Sequence, residues 1–274
     1  MSVTRWDYAA SILLNGTVLV VGGDDGSAGY LTRAELYDSS TGSWILTGNM
    51  TVGRRYHTAS TLSSGKILVT GGHNGGTALS SAELYAPSTG IWTMTGNMNV
   101  ARRYHTVSIL SNQTALVSGG ENGGVALKNA ELYNSSTGNW TTTGNMSVER
   151  RYHTATVLLN GKVLVTGGSG GGNLKSAELY DSSTGIWTMT GNMNVARKYH
   201  TASILSNGKV LVTGGDNGAT LSSTELYDPS TGIWRMTGNM NVARKYHTAS
   251  ILSNGTVLVA GGDNGTYLTS AELY

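Results

Sequence analysis

The sequence predicts an all-β fold: a six-bladed β-propeller of four-stranded antiparallel units, the last lacking its outermost strand. Three observations predict it. Gly-Gly doublets begin at Gly22, Gly71, Gly119, Gly167, Gly214 and Gly261, at spacings of 49, 48, 48, 47 and 47 residues. Glu-Leu-Tyr recurs in phase from Glu35, Glu83, Glu131, Glu178, Glu225 and Glu272, and a Trp follows the Tyr in the first five units, as in Tyr85 and Trp92. No segment keeps a 3.6-residue apolar period, so essentially no helix is expected. The repeats run about 1-49, 50-97, 98-145, 146-192, 193-239 and 240-274, a single domain with no linker.

The fifth unit shows the elements in order. A first strand is predicted around Tyr199 to Leu205, then the turn Asn207-Gly208, which suits a two-residue type I′ hairpin. The second strand, Lys209 to Thr213, is a continuous apolar run, which implies burial on both faces. It ends in Gly214-Gly215. The third strand is Ser223 to Tyr227, and Asp228-Pro229-Ser230-Thr231-Gly232 makes a turn in which Pro presets φ. The fourth strand is Ile233 to Thr237. Residues 192–227 and 239–274 are identical at 30 of 36 positions, so the other units are read by the same key.

One such unit cannot bury both faces of its own sheet. Stacking six around an axis buries the faces between neighbours and leaves only short edges. A Gly doublet closing an apolar strand, followed by Tyr and Trp at this spacing, resembles the kelch repeat over the whole chain. The resemblance implies a six-bladed kelch-type propeller. Six units of about 48 residues exceed the chain by about 12. The sixth blade is therefore expected to have three strands, with an open edge able to pair with another chain. The alternative is that the sequence is cut from a longer protein.

Composition removes several function classes. The chain has 274 residues, 39 Gly, 2 Pro and no Cys, so no disulfide, thiolate metal site or cysteine nucleophile is possible. A net charge of +2 with 12% charged residues gives no pull toward nucleic acid or an anionic membrane. No apolar run is long enough for a membrane helix, and none after Met1 reads as a signal peptide.

Residues that bear charge recur with the repeat. Arg5, Arg54, Arg102, Arg150, Arg197 and Arg244 open the six units, and each third strand carries one Glu. Equal numbers point to a repeated structural Arg–Glu pair. The next position is basic in five units: Arg55, Arg103, Arg151, Lys198 and Lys245, with Trp6 in the first. If the first set is held by Glu, these cations form an anion-attracting rim or simply a solvated edge. His57, His105, His153, His200 and His247 suggest a metal ring, but they lie in different blades, and hydrogen bonding between blades is the expected role. No metal site and no cofactor are expected.

The loops after the doublets vary most. They carry Asp24, Asp25 and Tyr30 in the first unit, His73 and Asn74 in the second, and Glu121 and Asn122 in the third. The fifth has Asp216 and Asn217, and the sixth has Asp263, Asn264 and Tyr267. Lys128 and Lys175 follow the loops of units three and four. Loops on a rigid scaffold are where binding concentrates, and in kelch propellers this face usually carries ligands. Asp-Asn-Gly lacks the Glu that a calcium loop needs and reads as turn chemistry.

No catalytic motif appears. Kelch-like oxidases use copper with a Cys-linked Tyr, and a chain without Cys excludes that activity. The expected function is a non-enzymatic scaffold binding a protein or peptide through one loop face. The alternatives are a multivalent glycan-binding propeller, and recently duplicated or engineered repeats with no specific ligand. Eight Asn-x-Ser/Thr sequons lean toward an extracellular setting without fixing the compartment.

Overall fold

A computed structural model describes residues 1–26 and 29–274; Ser27 and Ala28 of the first loop lie outside the described residues. The fold class is the six-bladed β-propeller. Each repeat forms one antiparallel blade sheet with its strands in sequence order, four strands in the first five blades and three in the last, and the third repeat adds a two-stranded sheet of Glu121–Asn122 and Val125–Ala126. In the fifth blade the strands are Thr201–Ile204, Val210–Thr213, Thr224–Asp228 and Ile233–Met236. The described residues contain no helix.

Two groups of blades are compact in themselves. Met1–Val125 with Asn129–Thr143 holds the first three blades, and Ala126–Lys128 with Gly144–Tyr274 holds the last three. Within each group the first strands of successive blades are neighbours. The core of each lies between adjacent sheets. In the first group Leu19 and Val21 of blade one pack with Ile67, Val69 and Tyr85 of blade two. In the second, Leu164 and Ala177 of blade four pack with Val210, Val212 and Tyr227 of blade five. The second strands are the driest segments, and all four residues of Val210–Thr213 are buried.

The repeated Tyr and Trp are structural. They pair directly across the third and fourth strands, with ring centroids 4.9 Å apart at Tyr85 and Trp92. In blades two to five the indole then donates to the preceding blade: Trp92 Nε1 reaches Gly48 O at 2.7 Å, and Trp234 Nε1 reaches Gly191 O at 2.8 Å. In the last blade Ala271–Leu273 has no outer partner among the described residues. Gly238 O, which corresponds to those indole-bound carbonyls, accepts instead from Thr224 Oγ1.

The Gly doublet exists for close approach. Gly72 N donates to Arg102 O of the next blade at 2.9 Å, and a Cβ on Gly71 would stand 2.4 Å from that oxygen. Both residues have positive φ. The Asn-Gly turns differ from the expected type I′. At Ser206-Asn207-Gly208 only Gly208 has positive φ, Gly208 N donates to Leu205 O, and Leu205 N donates to Lys209 O. This is a three-residue loop with a bulge at Gly. Asn207 is used as an acceptor for Lys209 N at 3.0 Å rather than for a left-handed backbone.

Candidate functional site

The first Arg of each unit is consumed by the fold. Arg54 Nη1 donates to Gly71 O and Ser81 O, and Nη2 meets Glu83 Oε1 at 2.9 Å with both side chains fully buried. Glu83 also accepts from Thr51 N and Val52 N. The carboxylate thereby collects a guanidinium and two backbone donors, which offsets the cost of burying it. The same pair forms in all six blades, from Arg5–Glu35 to Arg244–Glu272.

The His side chains lie between blades. His105 Nε2 shares hydrogen bonds with Thr58 Oγ1 at 3.2 Å and Thr70 Oγ1 at 2.9 Å. His200 does so with Thr154 and Thr166, and His247 with Thr201 and Thr213. Burial, reinforced by the neighbouring Arg, holds these imidazoles well below the ordinary value of 6.5, so they are neutral at pH 7.

The second basic position and the loop meet at one end of each blade. Arg55 N donates to His73 O, and His73 N donates to Arg55 O. Equivalent bridges join Trp6 to Asp24, Arg103 to Glu121, Arg151 to Ser169, Lys198 to Asp216 and Lys245 to Asp263. Side chains then bind neighbours. Arg55 Nη1 reaches back to Asp24 Oδ2 of the preceding blade at 3.0 Å, and Lys245 Nζ reaches Asp216 Oδ2 at 3.1 Å. The longer Glu121 takes Arg103 of its own blade at 2.6 Å. Arg55, Arg103 and Lys245 are thus matched by acids of the variable loops.

The loop acids have a second task. Asp24, Asp216 and Asp263 accept from the backbone N–H of Gly26, Gly218 and Gly265. Burial opposes ionisation of Asp216, but the Gly218 N–H and the Lys245 ammonium outweigh it and hold the carboxyl below its ordinary value. Asp-Asn-Gly is therefore a turn. The Asn74, Asn122, Asn217 and Asn264 side chains are exposed at the tips, and Asp25 is half-buried. Tyr267 is 92% exposed. Lys128 and Lys175 are exposed, their carbonyls accepting from Met146 N and Met193 N, and neither side chain joins the loop residues.

Sequence reasoning passed over one feature of this end. Tyr56, Tyr104, Tyr152, Tyr199 and Tyr246 all have φ of 57–58°, and Asp7 holds the same position in the first blade at 55°. Left-handed backbone is unusual for a bulky aromatic. It places the N–H of Tyr56, Tyr104, Tyr199 and Tyr246 on a carbonyl of the preceding blade, as Tyr104 N on Tyr56 O at 3.2 Å and Tyr246 N on Tyr199 O at 3.1 Å. The rings pack in tilted pairs, with centroids 4.3 Å apart for Tyr56 and Tyr104, and 4.5 and 4.2 Å apart through Tyr152, Tyr199 and Tyr246. Each rim cation lies 4.7–5.9 Å from the ring beside it. The available signal was Tyr-His itself, five times repeated, with Asp7 breaking the series.

The irregular part of this end lies in the first group of blades. Arg55 also lies 4.8 Å from the Tyr30 ring, and His73 meets that ring edge-on at 5.8 Å. His73 Nδ1 accepts from Gly75 N. Partial burial and the charges of Arg103 and Arg55 lower its pKa, leaving a neutral ring. A cavity of about 140 Å³ opens between His73, Arg103 and Asn122.

Fold and site together define a kelch-type repeat propeller with a charge-paired rim. A family model described as the KLHDC2/KLHL20/DRC7 Kelch-repeats domain matches residues 3–168 and 91–262, and the chain belongs to the kelch-repeat family. No curated protein matches the sequence. A solved structure of a fungal alcohol oxidase of the AA5 family, in complex with copper, superposes with a TM-score of 0.79 at 21% identity. The match covers 95% of this chain but 59% of the oxidase, and at that identity it shows the fold alone. The residues here do not fit its copper: there is no Cys, and no group of three His, Asp or Glu among the described residues could hold a metal.

Proposed function

We propose that this chain is a non-enzymatic scaffold that binds a protein or peptide segment through the loops joining second and third strands. The rim itself carries the reading. Its cations are largely balanced by loop acids and stacked on tyrosines, while exposed aromatics and turn amides remain. Trp6 is 47% exposed, Tyr246 59% and Tyr267 92%. Exposed Trp and Tyr on a rigid frame are the residues that most often anchor protein interfaces. A reactive site would need unlike groups brought together, and the near-identical blades supply like groups instead.

Selection from a random peptide library on the full chain tests this. Selected peptides should lose at least about tenfold in affinity, roughly 1.4 kcal/mol, in Trp6→Ala or Tyr267→Ala, with melting temperature unchanged. A chain that yields no peptide yet binds defined glycans on an array would refute the proposal and favour a lectin-like role.

A further inference from the structure

The other end of the blades carries the first-to-second-strand turns, and two of the six depart from the pattern. Unit one reads Leu13-Leu14-Asn15-Gly16 and unit four reads Leu158-Leu159-Asn160-Gly161. The other four units place Ser63, Ser111, Ser206 and Ser253 where Leu14 and Leu159 stand. Those two leucines are 76% and 77% exposed. Each reaches toward the turn of the next blade, where a Cβ on Gly65 or Gly208 would stand 3.1 or 3.0 Å from the Leu Cδ1.

A second irregularity falls in the same two places. The only prolines of the chain, Pro87 and Pro229, occupy the third-to-fourth-strand turns of blades two and five. Leu14 and Pro87 line one groove of about 360 Å³, and Leu159 and Pro229 line another of about 410 Å³. Both grooves have an Asn and a Ser at the edge, Asn15 with Ser88 and Asn160 with Ser230, and each contains one Lys.

Charge separates the two. Lys209 is paired with Asp228 at 3.1 Å. Lys66 stands opposite Ala86 instead and has no ion pair among the described residues. The first groove therefore offers an apolar floor beside an unmatched ammonium. The second offers the same floor with its ammonium neutralised.

From this we infer that the two grooves are docking sites for a peptide segment, the Lys66 groove taking an aliphatic side chain next to a carboxylate and the Lys209 groove the aliphatic side chain alone, so that the Lys66 groove is the tighter. The aliphatic group covers the exposed Leu14 beside the half-buried Pro87. The carboxylate completes Lys66 as Asp228 completes Lys209. This surface is separate from the loop rim and stands whether or not the rim binds a partner.

The test uses the full chain with labelled Leu methyls and the acetylated, amidated peptide Asp-Glu-Leu-Leu-Asp-Glu. Titration is expected to shift the methyls of Leu14 and Leu159, with Leu14 saturating first. Ala86→Asp should weaken the first site about threefold to fivefold, the range of an exposed ion pair. Leu14→Ser should abolish it with unchanged melting temperature, since Ser is the residue at four equivalent turns. Absence of shifts at millimolar peptide overturns the inference, as does equal binding by the Lys-for-acid peptide. Leu14-dependent binding to phosphatidylserine vesicles without peptide binding assigns the surface to lipid and overturns it as well.

Discussion

The junction between blades one and two and the junction between blades two and three are built from the same period and differ in one spot. At the second junction His105 faces Thr58 and Thr70, a directly paired couple on adjacent strands whose hydroxyls lie 2.8 Å apart. Nε2 and the two hydroxyls satisfy one another, while Nδ1 has no partner in hydrogen-bond geometry. At the first junction His57 faces the equivalent couple, Ala9 and Val21. No hydroxyl is available, and neither ring nitrogen has a partner in hydrogen-bond geometry, although the Val21 and Arg54 carbonyls are near. Position is inherited with the repeat, but partnership depends on what the neighbouring blade happens to carry. Blade one is where the period has relaxed: it also has Trp6 for a rim cation and Asp7 for a rim Tyr.

The largest effect should be one that both junctions share. Arg54 and Arg102 each tie two blades, the carbonyl to Gly23 N or Gly72 N of the blade before and the guanidinium to Glu83 or Glu131. Arg54→Ala and Arg102→Ala should each cost about 3–5 kcal/mol in urea unfolding, because a buried carboxylate keeps its backbone donors but loses its only counter-charge. A gap above about 1 kcal/mol between them would show that the junctions differ in their clamps, and the contrast drawn at His57 would lose its control.

Acid should expose the His difference next. Burial, with Arg54 beside it, lowers His57 from 6.5 to about 3. A base whose folded pKa is depressed binds fewer protons folded than unfolded. Its contribution is complete above pH 6.5 and is lost as pH falls toward 3, on the order of 2 kcal/mol by pH 5. His57→Leu should flatten that slope with little change at pH 7. His105→Leu should flatten it too, but cost about 1 kcal/mol at pH 7 through the lost hydroxyl bonds. Equal costs at pH 7 would erase the distinction between a paired and an unpaired imidazole.

Much of this was legible in the sequence. Periodicity located the strands, the three-stranded last blade and the Arg–Glu pairs, because each is dictated by residues that repeat in phase. The hairpin geometry was not, since Asn-Gly is compatible with a two-residue or a three-residue loop and only the register decides. Nor was the pairing of the rim. Whether Arg55 meets Asp24 or His73 depends on which blade its side chain leans toward, and the backbone bridge to His73 is to a different residue from the ion pair. The left-handed Tyr belt was hidden because a bulky aromatic is a poor predictor of positive φ.

The smallest effect is the most direct test of the comparison, because it converts one junction into the other. Ala9→Thr with Val21→Thr would give His57 the couple that His105 has, on strands already in the same register. Val21 is fully buried in the first core, so a hydroxyl there is tolerable only if it is bonded. In the double variant each Thr can bond the other and the ring. The gain should be about 1 kcal/mol, or roughly 2–4 °C in melting temperature at pH 7. Val21→Thr alone should be neutral or slightly destabilising, one hydroxyl having only the imidazole to meet. If the double variant is the less stable chain, the methyl contacts of Val21 with its core outweigh the hydrogen bonds, and the bare His57 is the better solution for that junction.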